Sequence, residues 1–201
     1  MRGVSIVVFD GVEEMDFCGP YEVFSVANRM AAASQAPLPY AITLVGEHGG
    51  PLTCAGGLKV LPDATLGDCA RPDVLVVPGG AGTRRGEDIE PVVDFIRASD
   101  PHCEIVASVC TGALLLARAG LLDGRRATTH SASLDLLQER HPAVNVVRGV
   151  RFVDEGRIIT AGGISAGIDL ALHIVARTAG TGLASLTARR MEYAWSPAGA
   201  I

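Results

Sequence analysis

Ile105-Val106-Ala107-Ser108-Val109-Cys110-Thr111-Gly112-Ala113-Leu114-Leu115-Leu116 runs from an aliphatic strand into an aliphatic helix with almost no loop between them. Such a junction belongs to a parallel sheet covered by helices, because strands buried on both faces read as unbroken Val, Ile and Leu. Cys110 stands at the junction. A side chain placed there projects from the carboxyl end of the sheet, where open α/β folds bind ligands, and lies where the unpaired N–H groups of a helix start favour an anion. The thiolate is the nucleophilic form of cysteine, and a helix N-terminus can lower a thiol pKa below its free value of about 8.5. Gly112 and Ala113 let the helix begin tightly. Cys110 therefore reads either as a nucleophile or, like many unpaired cysteines, as a small buried hydrophobe.

Outward from this junction, further aliphatic runs at 4–9, 42–45, 74–77 and 158–160 alternate with helical periods at 20–33, 89–98, 112–119, 132–139, 166–176 and 184–193. Alternation of this kind predicts βαβ units and a mostly parallel sheet. Pro20 suits the first turn of its helix, where its missing N–H has no helical partner anyway. Two segments interrupt the alternation as hairpins: 53–61 around Gly56-Gly57, and 152–158 around Asp154-Glu155-Gly156. Residues 195–201, rich in Pro, Gly and Ala, predict a loose tail. No linker or repeat divides the 201 residues, so one domain spanning 1–201 is expected.

The composition sets bounds on function. A net charge of -5 argues against a nucleic-acid partner, and the basic pairs Arg84-Arg85, Arg125-Arg126 and Arg189-Arg190 are too short to make a basic patch. No run approaches the ~20 apolar residues of a membrane span, and the apolar start is too short for a signal peptide. Five cysteines, odd in number and without CxxC spacing, suit reduced thiols in a cytoplasmic protein and carry no zinc signature.

Three other places carry candidate chemistry. Val77-Pro78-Gly79-Gly80-Ala81-Gly82 ends a strand in a glycine-rich turn whose N–H groups, with that of Thr111, could form an oxyanion-type site, or which could simply end the strand. Glu13-Glu14-Met15-Asp16 places carboxylates before a helix, where Asp16 reads either as a general acid or base or as a charge that complements the helix start. Cys18 lies two residues beyond it. His130, in Thr128-Thr129-His130, could orient or deprotonate a thiol, or be structural.

Taken in order, the acid of EEMD (13–16), VVPGGAG (76–82), SVCTGA (108–113), TTH (128–130) and GGISAGIDLAL (162–172) resemble the ThiJ/PfpI superfamily, which shares its fold with class I glutamine amidotransferases. The resemblance implies a three-layer, flavodoxin-like α/β sandwich with a nucleophile elbow. Within the superfamily, MDFCGPYEVF (15–24), VCTGALLLARAGLLDGRRATTH (109–130) and MEYAW (191–195) look like isonitrile hydratases and the amidase-like domains of AraC-type regulators. That likeness implies Cys110 as nucleophile, Asp16 as pocket acid, Thr111 as its partner, and backbone N–H groups from Gly80 and Thr111. Gly79, His130 and Cys18 become possible pocket residues.

The implied activity is addition of water to an isonitrile to give an N-substituted formamide, without metal or cofactor, on a small-molecule substrate in a homodimer. Glyoxalase, deglycase or peptidase chemistry, or a non-catalytic sensor, are the alternatives. The chain also departs from its relatives. Glutaminases of this fold carry an acid two positions past the histidine, but Ser131 and Ala132 follow His130 here. Ser131 also stands where the hydratase-like proteins commonly have an aromatic. The AraC-type regulators continue into a helix-turn-helix domain, and this sequence stops at Ile201.

Overall fold

The computed structural model describes residues 1–196. In chain order the elements are β1 (Arg2–Val8), α1 (Glu14–Ala33), β2 (Tyr40–Gly46), β3 (Leu52–Thr53), β4 (Lys59–Val60), β5 (Ala64–Thr65), β6 (Val74–Val77), α2 (Glu90–Ser99), β7 (Ile105–Ser108), α3 (Gly112–Arg118), β8 (Arg126–Ala127), α4 (Leu134–Arg140), β9 (Asn145–Val146), β10 (Phe152–Glu155), β11 (Ile158–Ala161), α5 (Ala166–Ala179) and α6 (Thr181–Arg190).

Seven strands form one sheet in the order β10-β11-β7-β6-β1-β2-β5, with every pairing parallel except that of β10 with β11. The unbroken aliphatic runs have this cause: all four residues of β6, β7 and β11 are buried, as strands covered on both faces must be. From β1 the chain crosses to β2 on one side, and from β6 it crosses to β7 on the other. Right-handed crossovers in opposite directions put their helices on opposite faces. Accordingly α1, α5 and α6 pack together, while α2 packs against α3. This is the expected α/β sandwich with a mostly parallel sheet.

The two expected hairpins are present: β3 pairs antiparallel with β4, and β10 forms the sheet edge against β11. Other expectations are corrected. Helix α1 begins at Glu14 rather than at Pro20, which lies inside it. Packing decides the matter, for Pro20 is buried, and a Cβ on Gly19 would meet Ile168 Cγ1 of α5 at 3.1 Å. The tertiary contacts of the buried face outweigh the one backbone hydrogen bond that proline removes. Residues 132 and 133, expected to open a helix, instead belong to a 3₁₀ turn (Ser131–Ser133) ahead of α4. The small parallel pair β8–β9 carried no sequence signal, being two residues long on each side. Of the tail expected to be loose, Trp195 packs against the core, and residues 197–201 lie outside the described residues.

The topology fixes the site. The chain reverses its direction of travel across the sheet between β1 and β6, and such switch points open a crevice at the carboxyl ends of the strands. Register pairs Val77 with Ser108, which brings the glycine-rich turn after β6 level with Cys110 after β7. An isolated bridge between Val12 and Gly80 ties the loop after β1 to the same place.

Candidate active site

Cys110 occupies a sharp strand-to-helix turn, with φ at +55°. A non-glycine residue in the left-handed region costs about 1–3 kcal/mol and persists only where its surroundings hold it. Here the hold is complete: the Cys110 N–H donates to the carbonyls of Ala161 and Gly162 at 3.1 and 3.0 Å, and its carbonyl accepts the Thr129 hydroxyl at 2.7 Å. Gly112 is required because a Cβ there would lie 2.1 Å from the Val77 carbonyl oxygen.

Asp16, in the first turn of α1, is fully buried. Its Oδ2 accepts the Gly79 N–H at 3.0 Å, while Oδ1 has no hydrogen-bond partner. Burial drives its pKa up to about 7; the Gly79 N–H and the Cys110 thiol, as donors, work against this, and the charge of Glu13 adds to it. Half of such carboxyls carry a proton near neutral pH. The thiol differs from the sequence expectation. Burial first, and then the Asp16 charge, push the Cys110 pKa upward, against donation from the Thr111 N–H and hydroxyl. Desolvation outweighs the start of a helix only seven residues long, so the resting thiol is neutral.

Around this pair the glycines are spatial necessities. A Cβ on Gly79 would stand 2.5 Å from the Thr111 nitrogen and 3.0 Å from Asp16 Oδ2. The Gly80 N–H, expected to face a substrate, instead donates to Thr111 Oγ1 at 2.9 Å. Thr83 joins the same network, donating to the Gly80 carbonyl at 2.8 Å and lying 3.2 Å from Thr111 Oγ1. The Gly80 and Gly79 amides are thus used inside the protein rather than presented to solvent.

A cavity of about 530 Å³ opens in front of Cys110 and Thr111, lined also by Glu13, Gly80, Arg84 and His130. His130 reaches its wall, but the hydrogen bond of its ring is the one Nδ1 accepts from the Ala132 N–H at 3.2 Å. Cys18 does not line the cavity. Two residues along a helix turn the side chain by about 200°, so the burial of Asp16 leaves Cys18 on the exposed face of α1. Thr83 and Thr129 were missed in the sequence, since a hydroxyl that bonds to a backbone carbonyl has no spacing rule. Among the described residues, no group of three or more His, Cys, Asp or Glu side chains is placed to hold a metal ion, and no helix is long and apolar enough to cross a membrane.

A doubly covered parallel sheet with a buried cysteine at the elbow after β7 defines a class, the α/β proteins of DJ-1 and ThiJ type. The chain belongs to the DJ-1/PfpI family, whose profile matches residues 2–177. It is 39% identical over 196 residues to isonitrile hydratase from Pseudomonas putida, covering 96% of this chain and 79% of that protein. It is 34% identical to the HTH-type transcriptional regulator CdhR from Pseudomonas aeruginosa, covering 89% of this chain but only about half (51%) of the regulator. Among solved structures, a ThiJ/PfpI family protein from Pseudomonas syringae superposes with a TM-score of 0.84 at 30% identity, over 98% of this chain and 77% of that one.

Proposed function

We propose that this protein, acting as a single domain, is a cysteine-dependent enzyme that hydrates a small isonitrile to an N-substituted formamide. The observation that carries the reading is the buried Asp16 carboxyl, held near a pKa of about 7 beside the Cys110 thiol. A carboxyl so tuned can give up a proton at neutral pH, as a general acid must. The 39% identity to an isonitrile hydratase supports the choice of substrate class.

In the proposed reaction Asp16 protonates the terminal isonitrile carbon, and Cys110 sulfur bonds to that carbon while the thiol proton replaces the one Asp16 gave. The product is a thioimidate, R–N=CH–S–Cys110. Water then adds to the same carbon; one of its protons goes to nitrogen, the carbon–sulfur bond breaks, and the other proton returns to sulfur. Thr111, whose N–H and hydroxyl favour the thiolate, steadies the charge on sulfur as it departs. No step calls on a cofactor.

A panel of alkyl and aryl isonitriles, followed by formamide appearance with the parent and Cys110→Ser proteins, tests the proposal. Cys110-dependent formamide is the expected result. Binding without turnover favours a sensor role instead, a reading supported by the likeness to CdhR, and turnover of dicarbonyls favours a glyoxalase. The five free cysteines suit a reducing cytoplasm, and a homodimer is proposed by analogy; a monomer in light scattering at micromolar concentration would remove it.

A further inference from the structure

The two arginines that follow the glycine-rich turn stand in different surroundings. Arg85 is ion-paired with Glu47, and its Nε donates to the Gly82 carbonyl at 3.3 Å, so the protein fixes it. Arg84 is exposed, lines the cavity in front of Cys110, and has no ion pair or side-chain hydrogen bond among the described residues. Glu13 lines the same cavity without pairing with it. The remaining wall includes Ala81, Leu136 and Ile164, so a partly apolar cavity carries a guanidinium that no carboxylate pairs with directly. Such a group attracts an anion, and its planar fork of donors matches a carboxylate through two parallel hydrogen bonds. A phosphate suits the site less, because the Gly79 and Gly80 amides that could cradle one are already given to Asp16 and Thr111.

We propose that Arg84 anchors a carboxylate, and that the substrate is a small electrophile carrying a carboxylate within a few bonds of the carbon that Cys110 attacks. Identifying that carbon as an isonitrile rests on the hydratase reading; the anchor itself does not.

Two reagents of nearly equal size separate charge from access: iodoacetate, an anion, and iodoacetamide, which is neutral. Cys110 alkylation is followed by mass spectrometry with the parent protein, Arg84→Gln, and Arg125→Gln as a control for net charge at a site away from the cavity. The expected result is that Arg84→Gln slows iodoacetate about five- to tenfold and leaves iodoacetamide within about twofold, while Arg125→Gln changes neither. An unchanged iodoacetate rate in Arg84→Gln, or an equal loss with both reagents, overturns the anchor. A second arm compares isocyanoacetate with a neutral isonitrile of similar length. Arg84→Gln should raise KM about tenfold for the first alone, with kcat kept, and an equal change for both substrates overturns the proposal. If the parent protein turns over neither compound, the hydratase reading falls while the alkylation ratio still decides the anchor.

Discussion

Cys110 and Asp16 are coupled: burial and then the Asp16 charge hold the Cys110 thiol protonated, while the thiol acts on Asp16 as a hydrogen-bond donor. Neither group ionises independently of the other. With the thiol protonated and the carboxyl titrating near neutrality, the pair gives opposite expectations for thiol reactivity and for turnover.

Asp16→Asn separates the two. Removing the charge should lower the Cys110 pKa, so alkylation by iodoacetamide at mildly alkaline pH becomes faster. Turnover of an isonitrile should fall about 10²–10⁴-fold, the usual contribution of a general acid. Parallel alkylation and single-turnover rates check this, and loss of both together would point to a damaged fold. His130→Ala should cost less turnover, since its ring is tied to the Ala132 N–H.

The raised Asp16 pKa also ties stability to pH. Below about pH 4 the carboxyl is protonated in both the folded and unfolded chains. Between there and about pH 7, the folded protein keeps a proton that the unfolded chain has released, so stability falls as pH rises through this window and levels off above it. The contribution is on the order of a few kcal/mol. Urea midpoints across the window should show the slope in the parent protein and a flatter profile in Asp16→Asn. Proton donation by Asp16 should fade over the upper end of the same range.

Gly79→Ala should damage the site from within, because its Cβ would fall 2.5 Å from the Thr111 nitrogen. Overpacking of this kind costs about 1–3 kcal/mol, and the displaced Asp16 and Thr111 should take turnover with them. Gly182→Ala, in α6 with no atom within 4 Å of the added carbon, should be neutral or slightly stabilising. Thermal midpoints of the two variants give the comparison.

Thr111→Val keeps the shape but removes the acceptor of the Gly80 N–H. A buried donor left unpaired costs about 1–3 kcal/mol, so the midpoint should drop, and Thr111→Ser should recover most of it. A Thr111→Val protein as stable as its parent would show that water or a shifted turn satisfies the amide.

The order of aliphatic runs and the run through Cys110 were enough for the sheet, its parallel character and the elbow, because strand burial and tight strand-to-helix turns write themselves into adjacent residues. Hairpins at Gly56-Gly57 and Asp154-Glu155-Gly156 were legible for the same reason. Helix starts were less so: Pro20 suggested a beginning, and the packing of Gly19 against Ile168 placed it six residues earlier.

What the sequence determined alone is therefore local: the alternation of elements, the small residues Gly112 and Ala113 that let a helix start tightly, and the position of Cys110 at the carboxyl end of the sheet. What only the tertiary structure decided is the chemistry around that residue. It buried Asp16 against the Gly79 amide and turned Cys18, two positions away, to solvent. It also gave the Gly80 N–H to Thr111 rather than to the cavity, and drove the Cys110 thiol upward in pKa where the helix start suggested a fall. The physical reason is that desolvation and hydrogen-bond capture sum over every group packed around an atom, and those groups come from α1, β6, β7 and the loops between them, far apart along the chain.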